Sequence, residues 1–184
     1  MTVKHRFWWA VAVQVAALLV MMAVHAFTLA TGRAVTLKTM PVDPWSYLTG
    51  RYVVLSYEIS HLEEGKLPME GAPYRRSQTV WVTLQEGDPY WTPVAVSARR
   101  PALKPNQAAL RGSVTGAWQG SPSIGTESSW QYDVHYGIEQ FYIPEWEKTL
   151  ERRGTDFTVA ALVDSFGRAA LHRVFLDGKE IRWQ

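Results

Sequence analysis

The run from Phe7 to Ala30, FWWAVAVQVAALLVMMAVHAFTLA, contains no Asp, Glu, Lys or Arg, and only Gln14, His25 and Thr28 interrupt it as polar residues. As a helix its 24 residues extend about 36 Å, against about 30 Å for the hydrocarbon core of a bilayer. Hydrocarbon offers a backbone no hydrogen-bond partner, so a spanning segment must satisfy its own, as a helix does. The run therefore predicts a transmembrane anchor over 7–30. Lys4 and Arg6 immediately precede it, and the positive-inside bias keeps residues 1–6 cytoplasmic and sends the rest across. Phe7, Trp8 and Trp9 then fall at headgroup level, where amphipathic rings are favoured. A cleaved signal peptide is the competing reading, because Val24 and Ala26 are small residues at the spacing a signal peptidase inspects. Its apolar region is expected to be shorter, about 7 to 15 residues. Gln14 is one amide that a neighbouring helix in the membrane would bond.

After a connector at 31–33, residues 34–184 are expected to form one domain, since about 150 residues is the commonest single-domain size. Of the 19 Lys and Arg, three (Lys4, Arg6, Arg33) lie in the first 33 residues, which hold none of the 17 Asp and Glu. That leaves 16 basic against 17 acidic residues in the domain. A near-neutral surface argues against nucleic acid, which requires clustered cations to displace counterions. No Gly-rich run precedes an apolar helix, so no nucleotide site is expected either. Cysteine is absent, which removes disulfides, thiolate metal sites and lipidation at cysteine. No cofactor or metal is expected.

Nine Trp, eight Tyr and six Phe, with frequent Val and Thr, favour strands. Strands are predicted at 34–39, 52–60, 78–85, 91–98, 108–119, 131–143, 157–163 and 169–176, with a last one running to Trp183. The 78–85 and 91–98 segments read as a hairpin, as do the last two strands around Asp177 and Gly178. Residues 41–44 read as a turn, Trp45–Leu48 as one helical turn, Glu145–Arg153 as a short helix, and His61–Ser77 as a long surface loop. The expected fold is mainly β: the transmembrane helix, then a single antiparallel β-sandwich or partly closed β-barrel with one or two short helices.

Two blocks carry more than composition. Gly50-Arg51-Tyr52-Val53-Val54-Leu55-Ser56-Tyr57, introduced by Pro41-Val42-Asp43-Pro44, resembles the bacterial family named for its Gly-Asp-Tyr-x-x-Leu-x-Tyr signature. Tyr136-Gly137-Ile138-Glu139-Gln140-Phe141-Tyr142-Ile143-Pro144-Glu145 resembles the later block of that family. The resemblance implies a membrane-anchored bacterial envelope protein and no reaction; together with the charge bias at the anchor, the expected place is the inner membrane with the C-terminal domain periplasmic. Asp43, Gly50, Arg51, Tyr52, Leu55, Tyr57, Tyr136, Gly137, Glu139 and Pro144 are its motif positions here, with a structural or interaction role. Arg51 stands where the signature has Asp, so a paired-carboxylate site at that position does not arise in this chain. A half-buried Glu139 needs a partner or a proton, and Arg51 is one partner to consider.

Against these stand ordinary explanations. Asp43 between Val42 and Pro44 reads as a turn residue bonding its own backbone. His61 and His135 lie in no nucleophile or metal motif and read as ordinary histidines. Ser46, Ser56, Ser60 and Ser97, with Lys38 or Lys104, offer no pair that stands out as a hydrolytic dyad. Trp91, Trp118, Trp130 and Trp146 are candidates for an apolar platform, although most are expected in the core. The resulting expectation is a non-enzymatic accessory or assembly subunit whose partners are the bilayer and an integral membrane protein. Two alternatives follow it: an envelope enzyme acting on peptide or glycan with Glu139 as acid or base, and a Trp-based glycan-binding module.

Overall fold

The computed structural model describes residues 3–40, 52–120, 129–142, 157–176 and 178–181. Helix α1 covers Val3–Thr31, so the apolar run is helical throughout. It is apolar on every side, and Trp8, Trp9, Leu19, Met21 and Met22 are each more than half exposed. A helix apolar all round suits a core or a membrane, and the apolar stretch of this one is not buried in the domain. Its length and composition suffice to cross a membrane, a property shared with signal sequences.

The strands follow in chain order. The first seven are β1 Arg33–Met40, β2 Tyr52–Val54, β3 Ser56–Tyr57, β4 His61–Glu63, β5 Met69–Glu70, β6 Thr79–Gln85 and β7 Thr92–Ser97. Then come β8 Gln107–Gln119, β9 Trp130–His135, β10 Gln140–Tyr142, β11 Phe157–Val163, β12 Ala169–Leu176 and β13 Lys179–Glu180. One sheet runs β13-β12-β11-β1-β3, another β4-β9-β8-β6-β7-β5, and β10 pairs with β2 in a two-stranded ribbon. Among the described strands the pairings are antiparallel, apart from β5 with β7. The fold is mainly β, as the sequence predicts.

Alternation explains how each strand finds its face. In β1, Val35, Leu37 and Thr39 are buried while Lys38 and Met40 are exposed, the period of two that puts one face of a pleated strand on a core. Val35, Leu37, Val159, Ala161 and Val174 from the five-stranded sheet join Val80, Val82, Leu84, Leu110, Val114, Tyr132 and Val134 from the six-stranded sheet in one core. The backbone ties the sheets together as well: Trp91 N–H donates to the Thr36 carbonyl at 2.9 Å and Arg111 N–H to that of Gly167 at 2.8 Å.

Three expectations are corrected. The strand expected over 52–60 divides into β2, β3 and a 3-10 turn at Glu58–Ser60. The strand expected over 131–143 is broken at Tyr136–Glu139, between β9 and β10, because Gly137 takes a φ of +85°, a left-handed conformation that ends a strand and that glycine adopts without steric cost. The segment 61–77 is no plain loop: it contributes β4 and β5 and buries Leu62 and Tyr74. The expected turn at 41–44, the helical segments at 45–48 and 145–153, and the end of the last strand lie outside the described residues.

Candidate functional site

The two motif blocks fold against each other. β2 and β10 pair with Val54 opposite Gln140, Val53 opposite Phe141 and Tyr52 opposite Tyr142. Leu55 N–H donates to the Glu139 carbonyl at 2.7 Å. Tyr57, fully buried, donates its hydroxyl to the Ile138 carbonyl at 2.6 Å, and Tyr136 returns the favour from the other block by donating to the Ile59 carbonyl at 2.5 Å. Both phenols are pushed up in pKa, first by burial and then by the negative charge of Glu139. A neutral hydroxyl donor is what a buried carbonyl requires.

Glu139 closes the turn it belongs to. One carboxylate oxygen accepts the Tyr136 N–H; the other accepts the Gly137 N–H at 2.8 Å and lies 3.0 Å from His135 Nε2. The positive φ of Gly137 turns these amides toward the carboxylate, a small nest around its two oxygens. Glu139 is nearly buried, and this set of donors answers the requirement for a partner. Its backbone is level with Leu55. Arg51, the partner considered from the sequence, lies outside the described residues, as do Asp43, Gly50 and Pro144.

Beside this turn is an open groove of about 520 Å3 whose wall includes Met40, Leu55, Ser56, His61, Asp133 and His135. Register brings these residues together. His61 on β4 is directly opposite Asp133 on β9, and directly opposed residues on antiparallel strands share a face. Met40 is opposite Ser56 in the β1–β3 pair. In β9, Tyr132 and Val134 point into the core, so Asp133 and His135 point out. A bulge between Val114 and Gly116 in β8 leaves Thr115 outside the pairing, and its hydroxyl donates to the Asp133 carbonyl at 3.2 Å.

The result is a relay. His61 Nδ1 is 2.6 Å from Asp133 Oδ1, and Ser56 Oγ is 3.3 Å from His61 Nε2. In the neutral tautomer that donates its Nδ1 proton to the carboxylate, Nε2 accepts and the Ser56 hydroxyl donates. That polarity is the one in which a histidine acts as general base toward a hydroxyl. The Ser60 hydroxyl, buried in the adjoining 3-10 turn, has no hydrogen-bond partner among the described residues. The serine and lysine candidates otherwise separate: Lys38 pairs with Glu58 at 2.6 Å, and Ser97 donates to the Arg99 carbonyl at 2.6 Å.

Among the described residues, the candidates Trp91, Trp118 and Trp130 form no common platform. Trp91 is buried beneath the Arg33 guanidinium, 4.9 Å from its ring centre. Trp118 is exposed and donates to Gln131 at 3.0 Å, while Trp130 stacks on Tyr132. Trp118 is opposite Gln131 and Trp130 opposite Gln119, which sends the two indoles to opposite faces of the sheet. Trp146 lies outside the described residues.

The sequence reading also missed a fastening between α1 and the domain. The Thr28 hydroxyl donates to Asp164 Oδ2 at 2.7 Å, and the Phe27 and Phe166 rings meet with centroids 6.1 Å apart. Asp164, itself buried, holds the β11–β12 turn by accepting the Phe166 and Arg168 N–H groups at 2.8 and 3.0 Å. Gly32 alone separates α1 from β1. A Cβ there would stand 2.5 Å from the Thr28 carbonyl oxygen and 2.8 Å from Leu162 Cβ, so the close approach demands glycine.

Helix, sheets and interlocked blocks together define a class of mainly β protein that carries an N-terminal helix long and apolar enough to cross a membrane. The chain belongs to the family described as GDYXXLXY protein, whose model matches residues 14–174. No curated protein and no solved structure matches it.

Proposed function

We propose that this protein is a non-enzymatic accessory or assembly subunit of the bacterial envelope. Residues 1–6 are cytoplasmic, 7–30 cross the inner membrane, 31–33 connect, and 34–184 form the periplasmic domain that binds a neighbouring integral membrane protein. The single supporting observation is the direct passage from α1 through Gly32 into β1, reinforced by the Thr28–Asp164 bond. A domain on a flexible tether samples all orientations, whereas one fixed to its span offers the same face to any protein in the same membrane. Crosslinking in intact cells, followed by purification from solubilised membranes, tests this reading. A discrete membrane-protein adduct is expected; a chain that consistently runs alone overturns it. A reporter fused after Gln184 is expected to be active only outside the cytoplasm.

The Ser56–His61–Asp133 relay favours a second reading, in which the groove hydrolyses an acyl bond. Ser56 would attack the acyl carbonyl as His61 takes its proton, the leaving group would depart with that proton, and water would then release the acyl group and restore the serine. Full-length protein in detergent is treated with a fluorophosphonate. Labelling lost in Ser56→Ala and in His61→Ala supports this reading, and an unlabelled wild-type chain rejects it.

A further inference from the structure

We infer that the β11–β12 turn is a second, headgroup-level membrane contact, in which Phe166, Arg100 and Arg168 dock on anionic phospholipids of the leaflet where α1 ends. The inference rests on α1 being a span and goes beyond it to the domain's own surface. Phe166 is about half exposed and packs on Phe27, while Thr28 holds the same turn. The turn is thus level with residues 27 and 28 of the helix. Phe7 and Phe27 are separated by 20 residues, or about 30 Å of helix, the thickness of the hydrocarbon core. If Phe7 is at one interface, Phe27 and Phe166 are at the other.

The charge at this level fits an anionic surface. The Arg100 and Arg168 guanidinium groups lie 6.0 and 5.7 Å from the centre of the Phe166 ring, and neither is ion-paired with an acid among the described residues. The one carboxylate in the turn, Asp164, is buried and committed to Thr28 and two amides. Two like charges around one exposed ring are left unneutralised by the described residues, and lipid phosphates would supply the balancing charge. The turn cannot swing away: Arg111 N–H holds the Gly167 carbonyl, and Gly167 sits so close to Trp81 that a Cβ there would fall 2.4 Å from its ring.

The absence of cysteine permits single spin labels in the full chain. Labels at Ser165→Cys, Val20→Cys and Lys179→Cys are read in nanodiscs of phosphatidylcholine alone or mixed with phosphatidylglycerol, as collision with oxygen against an aqueous nickel chelate. Val20 reports the span, and Lys179, in the hairpin at the far end of β12, reports open solvent. Expected is an oxygen-accessible Val20 label in both lipids, and a Ser165 label several-fold less accessible to nickel than the Lys179 label when phosphatidylglycerol is present. Arg100→Gln with Arg168→Gln is expected to raise that accessibility several-fold. A Val20 label open to nickel overturns the span itself. A sound span with a Ser165 label as open as Lys179 overturns the docking, as does shielding found only in native membranes, which would assign the surface to a protein. Shielding indifferent to lipid charge and to both arginines overturns the anionic partner.

Discussion

The Tyr57 hydroxyl reaches across to the Ile138 carbonyl at 2.6 Å, tying the tyrosine that closes the first motif block to the turn inside the second. Tyr57→Phe leaves that buried carbonyl without its donor, which costs about 1–3 kcal/mol. A lower denaturant midpoint with an unchanged slope is the expected result for the full chain in micelles. An unchanged midpoint would show that the bond adds nothing.

Gly137 has a φ of +85° and, among the described residues, no atom beyond its chain neighbours within 4 Å of where a Cβ would stand. Any cost of Gly137→Ala is therefore backbone strain alone, about 1–2 kcal/mol. Glu139→Ala is expected to cost more, because it frees two amides and leaves His135 without its carboxylate. The two losses should fall short of additive, since both act on one turn.

Alkaline pH should unfold the domain in a defined window. Burial raises the Tyr74 pKa to about 12, with Tyr132, Glu70 and Glu64 adding to the effect, and Tyr57 and Tyr136 are raised as well. In the unfolded chain all three titrate near about 10. A folded pKa above the unfolded one means that this stability is whole below pH 10 and declines as pH rises toward the folded values. Tyrosinate absorbance and loss of near-ultraviolet ellipticity should therefore advance together above pH 10. Release of all the phenols while ellipticity persists would contradict the burial.

Thr28→Val removes the hydroxyl that the buried Asp164 carboxylate accepts, a charge-assisted bond of about 1.5–3 kcal/mol. The sheets should keep their stability, while the coupling of helix to domain loosens. Dipolar spin-label distances between Val20→Cys and Lys179→Cys are expected to broaden in this variant, and an equally narrow distribution would locate the fastening elsewhere.

Local pattern and long-range pairing divided what the sequence disclosed. The apolar run, β1, the β6–β7 hairpin, β8, β11 and β12 are legible because alternation and turn residues are written within each segment. β4 and β5 are short edges whose partners lie elsewhere in the chain, so residues 61–77 read as loop. The break before β10 had one local signal: glycine inside a strand pattern marks a bulge or a turn, and Gly137 is that glycine. The two motif blocks were singled out by resemblance, but their pairing was not legible. Ser56 and His61 were weighed singly, but their grouping with Asp133 was not legible, since His61 and Asp133 stand 72 positions apart and meet only through the β4–β9 register.

Only Gly32 intervenes between α1 and β1, so under the proposed anchoring the helix and the first strand act as one lever. A helix longer than the local hydrocarbon is thick adapts by leaning, and with no swivel at the joint the sheets would lean by the same angle. Bilayer thickness would then set the height and heading at which the groove meets whatever lies beside it.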